Sequence, residues 1–119
     1  MTEEHKIQTR IMAAVSHECA IFRTNSGDFW QGELVWSKEF GQNILINLRR
    51  VAGLPTGHAD LSGVRKSDGK AVFIEVKTKS GRPSDAQKHF LAQMAKYGAI
   101  SGVCRSPEEA LKLIKGEIL

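Results

Sequence analysis

The chain has 119 residues, of which 41% are hydrophobic and 25% charged, and its formal net charge is +4. These are ordinary values for a globular protein, and a chain of this length buries enough surface for one core but not for two. No run approaches the roughly 20 consecutive apolar residues of a bilayer span, and the N-terminus is too polar for a signal peptide. We therefore expect one domain over residues 1–119, located in the cytoplasm.

The two cysteines and the net charge narrow the function only slightly. Cys19 and Cys104 lie far apart, and no CxxC or Cys/His pair surrounds them, which argues against a disulfide framework or a zinc site. A charge of +4 permits a polyanionic partner but does not demonstrate one.

The first half of the chain predicts a helix and a strand. The helix extends from about residue 3 to 16, is capped by Thr2, and carries Ile7, Ile11 and Val15 on one apolar stripe. A strand over residues 20–25 and a turn at residues 26–28 follow. The stretch from residue 29 to 50 holds both tryptophans and matches no single periodic pattern.

The second half predicts a hairpin, two helices and a further strand. Strands over residues 58–64 and 70–77 flank a turn-prone Ser-Asp-Gly. Ser84 begins a helix that Gly98 ends, a strand covers residues 100–104, and Ser106 begins a helix to about residue 115. This order predicts an α/β sandwich around a small mixed sheet.

The strand that ends in Glu75-Val-Lys77 carries charge on one face only. Val72, Ile74 and Val76 point one way, and Phe73, Glu75 and Lys77 point the other. A two-residue loop in the hairpin places Asp60 opposite Lys77, whereas a loop longer by two residues places Asp60 opposite Glu75. Both registers put the three charges on one face. The alternative is an edge strand whose charges only discourage aggregation.

Two neighbouring carboxylates and a lysine suit metal-assisted hydrolysis. Carboxylates within about 4–5 Å of each other repel and need a cation between them, and Mg²⁺ and Mn²⁺ prefer such oxygens. A lysine beside such an ion can hold or activate a water as the nucleophile, and an assembly of this kind hydrolyses phosphodiesters. The sequence contains neither a serine-nucleophile motif nor a Walker loop.

Three segments give the sequence a family resemblance: Gly57-His-Ala-Asp60-Leu, Ile74-Glu75-Val76-Lys77 and Gly81-Arg-Pro-Ser-Asp-Ala-Gln87. Together they resemble the PD-(D/E)xK nuclease superfamily, in particular the virus-type replication-repair nuclease (VRR-Nuc) family, although alanine replaces the proline of the name motif. The resemblance extends from Glu4 to Glu109, without a landmark between residues 28 and 50. It implies a restriction-endonuclease-like α/β fold of order α-β-β-β-α-β-α.

The resemblance also implies an activity. Members of this family are metal-dependent, structure-specific DNA endonucleases, and small phage and bacterial members resemble Holliday-junction resolvases and act as homodimers. A symmetric cut in a four-way junction needs two sites related by a two-fold axis. The alternatives are a flap, fork or single-strand nuclease of the same fold, and a catalytically silent nucleic-acid-binding module.

Carried over residue by residue, the resemblance implies that Asp60, Glu75 and the Val76 carbonyl bind Mg²⁺ or Mn²⁺ and that Lys77 positions the attacking water. Glu4 matches an early helical acid that supplements the metal shell, and Gln87 matches a glutamine that reaches the same site.

Two of these residues have simpler explanations. Glu4 can serve only the helix N-terminus, and Glu3 competes with it for the catalytic role. Gln87 can be only the capping partner of Ser84, or it can combine both roles.

Basic residues lie on both sides of the proposed site in the sequence, which suits contact with a phosphate backbone. We predict DNA contacts for Lys79 and Arg82, which flank the catalytic strand and the next helix. His58 shares the face of Asp60 and could touch a phosphate. For Trp30 and Trp36 we favour burial or a subunit contact over base stacking.

Overall fold

The computed structural model describes residues 2–24 and 28–117, without the side chain of residue 28. Three helices and six strands are present in these ranges, in the order α1 (Glu3–Val15), β1 (Cys19–Arg23), β2 (Asp28–Ser37), β3 (Gln42–Ala52), β4 (Leu61–Arg65), β5 (Ala71–Val76), α2 (Asp85–Lys96), β6 (Ile100–Cys104) and α3 (Pro107–Ile114). The predicted turn at residues 26–28 and the end of the first predicted strand fall largely outside the described residues.

Each helix begins where the sequence supplies a cap. The hydroxyls of Thr2, Ser84 and Ser106 each accept a hydrogen bond from the backbone N–H three residues further on, which satisfies one of the free donors of a first helical turn. The Gln87 side chain completes a reciprocal capping box with Ser84. The predicted helices are therefore confirmed to within about one residue at each end.

Four strands form a mixed sheet in the order β1-β4-β5-β6, in which only β5 and β6 run parallel. Helices α1 and α3 contact each other and cover one face of the sheet with the main hydrophobic core. Helix α2 covers the other face, where Phe90 contacts Phe73 of β5. The predicted fold class, a small mixed sheet flanked by helices, is confirmed.

The hairpin between β4 and β5 has the longer of the two predicted loops. Leu61 pairs with Ile74, which puts Asp60 opposite Glu75, so the two-residue loop is wrong. The reason is the Asp68 carboxylate, which accepts hydrogen bonds from the Arg65 guanidinium and the Lys70 backbone N–H. These bonds stabilise a wider turn, in which the Arg65 backbone N–H donates to the Lys70 carbonyl.

Two strands that the predicted order lacks, β2 and β3, form a separate antiparallel ribbon. We call residues 28–52, which comprise both strands and their turn, the arm. No other described helix or strand makes more than a marginal contact with the arm, and the molecule measures 57 Å along its longest axis against 30 and 26 Å across.

The helices in the described ranges are too short or too polar to cross a membrane.

Candidate active site

The ends of β4 and β5 bring three predicted site residues into direct contact. The Asp60 backbone N–H donates to Glu75 Oε1 at 3.2 Å, and the Asp60 carboxylate accepts from the Val76 N–H at 2.9 Å. Lys77 Nζ lies 3.4 Å from Glu75 Oε2. Asp60, Glu75 and Lys77 thus form one cluster at one end of the two central strands of the sheet.

Glu75 is the electrostatic centre of this cluster. Its side chain is only 1% exposed and is the one buried charged residue among the described residues. Burial, reinforced by the nearby Asp60 carboxylate and opposed by Lys77, raises the pKa of Glu75 to about 7. In the metal-free chain this carboxyl group therefore resists ionisation, because its charge is removed from water and lies beside another negative charge.

The donor set fits a hard divalent cation. Glu75 Oε2 is buried, accepts no hydrogen bond among the described residues and has the Lys77 ammonium at 3.4 Å as its ion-pair partner; a buried oxygen without a hydrogen bond is costly unless a cation binds it. Carboxylate oxygens from Asp60 and Glu75 and a backbone carbonyl at Val76 are ligands that Mg²⁺ and Mn²⁺ prefer.

The backbone around Asp60 is held on two sides. Thr24, at the end of β1, donates its N–H to the Asp60 carbonyl at 2.9 Å and its hydroxyl to the Ala59 carbonyl. On the other side the chain passes very close to α2: Gly57 has φ +94°, and a Cβ at this position would lie 2.8 Å from backbone atoms of Ala86. A side chain at residue 57 would push the loop away from the helix and displace Asp60.

His58 belongs to an aromatic cluster beside the carboxylates. Its ring lies 4.5 Å from Phe90 and 5.8 Å from Phe73, and the two phenylalanines meet edge to face at 5.3 Å. Its Nδ1 lies 3.0 Å from the Ala59 carbonyl oxygen. These contacts make His58 a packing residue that helps cover the face on which Glu75 is buried.

The structure does not bring Glu4 or Gln87 to the carboxylates. Within residues 2–24 and 28–117, no three His, Cys, Asp or Glu side chains gather at one metal position, so Glu4 does not join Asp60 and Glu75. Gln87 Oε1 accepts from the Ser84 N–H at 2.8 Å, which is the capping interaction. The catalytic roles of Glu4 and Gln87 remain predictions.

A basic cleft of about 530 Å³ lies directly beyond the C-terminal end of β5. Both predicted DNA-contact residues, Lys79 and Arg82, line it, together with Lys88 and Arg105, and no acidic side chain that the structure describes does. The roles of Lys79 and Arg82 in DNA binding remain predictions.

Arg105 is the residue that the sequence interpretation missed. Its guanidinium donates to the carbonyls of Thr78, Lys79 and Gly81, so it holds the loop that follows Lys77. The feature that identifies Arg105 is the parallel pairing of β5 with β6. In this pairing Val76 lies beside Cys104, so residue 105 lies beside residue 77.

Comparison with known protein families identifies the family of this chain. The family model described as VRR-NUC domain matches residues 2–108, which is nearly the whole chain and includes every residue of the cluster. No curated protein matches the chain.

Proposed function

The chain belongs to the VRR-NUC domain family, and we propose that it is a Mg²⁺- or Mn²⁺-dependent endodeoxyribonuclease that hydrolyses phosphodiester bonds in branched DNA. The observation that carries this proposal is the buried Glu75 carboxylate, whose Oε1 accepts the Asp60 N–H and whose Oε2 accepts no hydrogen bond and has only the Lys77 ammonium beside it among the described residues. A protein that only bound nucleic acid would gain nothing from the free energy that this buried charge costs.

Each residue of the cluster has a distinct role in the proposed reaction. Asp60, Glu75 and the Val76 carbonyl would hold the divalent ion, which when bound stabilises charge on a phosphate and lowers the pKa of water. The Lys77 ammonium would orient the attacking water and stabilise the negative charge that develops on the phosphate. Because Lys77 is anchored to Glu75, its position is set before DNA arrives.

The basic cleft supports DNA as the substrate. Lys79, Arg82 and Lys88 present cations immediately beyond Lys77, where they would bind phosphates that flank the scissile bond without reading bases. Recognition through the backbone favours a nuclease that selects DNA by shape over one that selects it by sequence.

We propose a four-way junction as the preferred substrate and a homodimer as the active form. The argument is one of symmetry: the junction offers two equivalent scissile phosphates related by a two-fold axis, so two copies of the same site match it. We further propose that the protein is of phage or bacterial type. The alternatives of the same fold, flap, fork and single-strand nucleases, share every residue of the cluster.

A cleavage assay on a set of substrates tests the proposal. The purified protein is incubated with Mg²⁺ and end-labelled four-way junction, flap, fork, single-stranded and duplex DNA of matched sequence, beside an Asp60→Asn variant. We expect cleavage of the junction in preference to the duplex, and none by the variant. Preference for the flap or fork would replace the junction assignment, and binding without cleavage of any substrate would favour the silent module.

A further inference from the structure

The arm exposes more apolar surface than any other part of the described structure. Trp30, Leu34 and Trp36 are 60%, 67% and 66% exposed, and Leu45 and Leu48 are about half exposed. A monomeric protein rarely leaves so many large apolar side chains together in water, and such a patch marks an interaction surface.

These side chains form one continuous face of the ribbon. Trp30, Leu34 and Trp36 lie at even-numbered positions of β2 and so share one face, and Leu45 pairs with Leu34 across the ribbon. The register shifts by one residue beside Gly32, where a Cβ would lie 3.0 Å from the Leu48 side chain. The missing side chain at Gly32 thus lets Leu48 fill the gap in the stripe.

The ribbon also lacks the support that such a structure needs. Two strands alone are at best marginally stable in water, and a third strand or a packed face is required. The opposite face carries Phe29, Ile46 and Val51, each between 37% and 40% exposed. An arm that is apolar on both faces and that pairs only with itself within the described part of the chain therefore requires a partner.

The charge of the arm argues for a protein partner over DNA. Residues 28–52 contain three acidic residues, Asp28, Glu33 and Glu39, and three basic residues, Lys38, Arg49 and Arg50. The arm is thus neutral, and the rest of the chain carries the whole net charge of +4. A DNA-binding surface carries an excess of cations, whereas the centre of a protein interface is apolar and rich in tryptophan.

The size and position of the arm fit a second copy of the same chain. Strands of 10 and 11 residues extend about 35 Å. Two such arms laid together would bury on the order of 800 Å² on each partner, the area of a stable interface. Thr24, the last described residue before the arm, bonds to the Asp60 carbonyl, so joining two arms would bring two active sites into one assembly.

We infer that the arm is the surface through which two copies of this chain form a two-fold dimer. This inference deepens the proposed function, since it names the contact by which the proposed homodimer forms. It concerns association in the absence of DNA and metal, so it can fail while metal-dependent cleavage stands.

Sedimentation of the full chain from about 0.1 to 100 µM, without DNA, tests the inference, with Trp36→Ala and Leu34→Arg as the variants. Truncating one central tryptophan weakens a contact by at least about 30-fold, and a two-fold dimer contains the substitution twice, so we expect the dissociation constant of Trp36→Ala to rise by about 1,000-fold. Val64→Ala is the matched control, because Val64 is 43% exposed but lies at the far end of β4 from Asp60. Unchanged circular dichroism identifies the variants that keep the fold.

Tryptophan fluorescence gives a second measurement on the unaltered chain, because both tryptophans lie in the arm. We expect the emission to shift to the red and acrylamide quenching to increase as the dimer is diluted. A chain that is monomeric at 100 µM would overturn the inference, as would a dimer that Trp36→Ala leaves intact. Tryptophans that become shielded only when DNA is added would overturn it in favour of a DNA contact.

Discussion

Replacing Glu75 by glutamine should make the metal-free protein more stable at neutral pH while abolishing its activity. The carboxyl group is 1% exposed, and its pKa is raised from 4.5 to about 7 by burial and by Asp60. Between these two pH values the folded chain retains a proton that the unfolded chain releases. Stability therefore falls as the pH rises from about 4.5 to about 7.

The size of the change in stability follows from the shift in the pKa of Glu75. Each pKa unit corresponds to about 1.4 kcal/mol, so the ionised Glu75 costs the folded state about 3 kcal/mol above pH 7. Glutamine retains the oxygen that accepts the Asp60 N–H, and the ion pair with Lys77 that it loses is already included in the pKa of about 7. We expect Glu75→Gln to be more stable than the parent by about 1 to 3 kcal/mol at pH 8 and by much less at pH 5.

The assay is urea unfolding of both proteins in EDTA at pH 5 and pH 8. Comparing parent and variant at each pH cancels the contributions of the other titrating groups to the free energy of unfolding. Adding Mg²⁺ at about 100 times its dissociation constant should stabilise the parent by about 2.7 kcal/mol and leave the variant unchanged. A variant that is less stable than the parent at pH 8 in EDTA would refute the reasoning.

Asp68→Asn is the control, because the pKa of Asp68 is shifted in the opposite direction from that of Glu75. The hydrogen bond from Arg65, with a second from the Lys70 N–H, lowers the pKa of Asp68 to about 2. Its ionised form therefore favours the folded state, and that contribution is lost only as the pH falls below about 4. Asp68→Asn should lower stability equally at pH 5 and pH 8.

Four further substitutions test the roles of single residues in catalysis and DNA binding. Lys77→Ala should reduce the single-turnover cleavage rate by several orders of magnitude while leaving the DNA dissociation constant nearly unchanged, because the ammonium acts in the transition state; turnover at the parental rate would remove it from the mechanism. Arg82→Ala and Lys79→Ala should each weaken DNA binding and reduce its salt dependence by about one ion, and a slope unchanged in both would place them outside the DNA contact. Arg105→Ala should weaken DNA binding and lower the cleavage rate together, because the loop after Lys77 loses its three carbonyl contacts; measured binding and cleavage equal to those of the parent would contradict this role.

The sequence predicted the elements whose signals are local. Helix caps at Thr2, Ser84 and Ser106 depend on side chains three residues from their partners, so a linear pattern reveals them. Strand alternation likewise separated Glu75 and Lys77 from the apolar face, and the family resemblance named Asp60 as their neighbour.

The features that depend on long-range contacts were not predictable in this way. The role of Arg105 depends on the parallel pairing of two strands that lie far apart in sequence. The β4–β5 register depends on local bonds of Asp68, but both loops fit the strand alternation, so the sequence left the choice between them open. The arm gave no periodic signal because both of its faces are apolar and its register shifts near Gly32.

The most direct test of the metal-dependent mechanism is a single-turnover cleavage rate on the preferred branched substrate, measured in Mg²⁺, after addition of excess EDTA, and after Mg²⁺ is restored. The cluster of Asp60, Glu75 and Lys77 predicts that the chelator abolishes cleavage and that Mg²⁺ or Mn²⁺ recovers it, in the parent but not in Glu75→Gln. Cleavage at an undiminished rate in EDTA would contradict the mechanism.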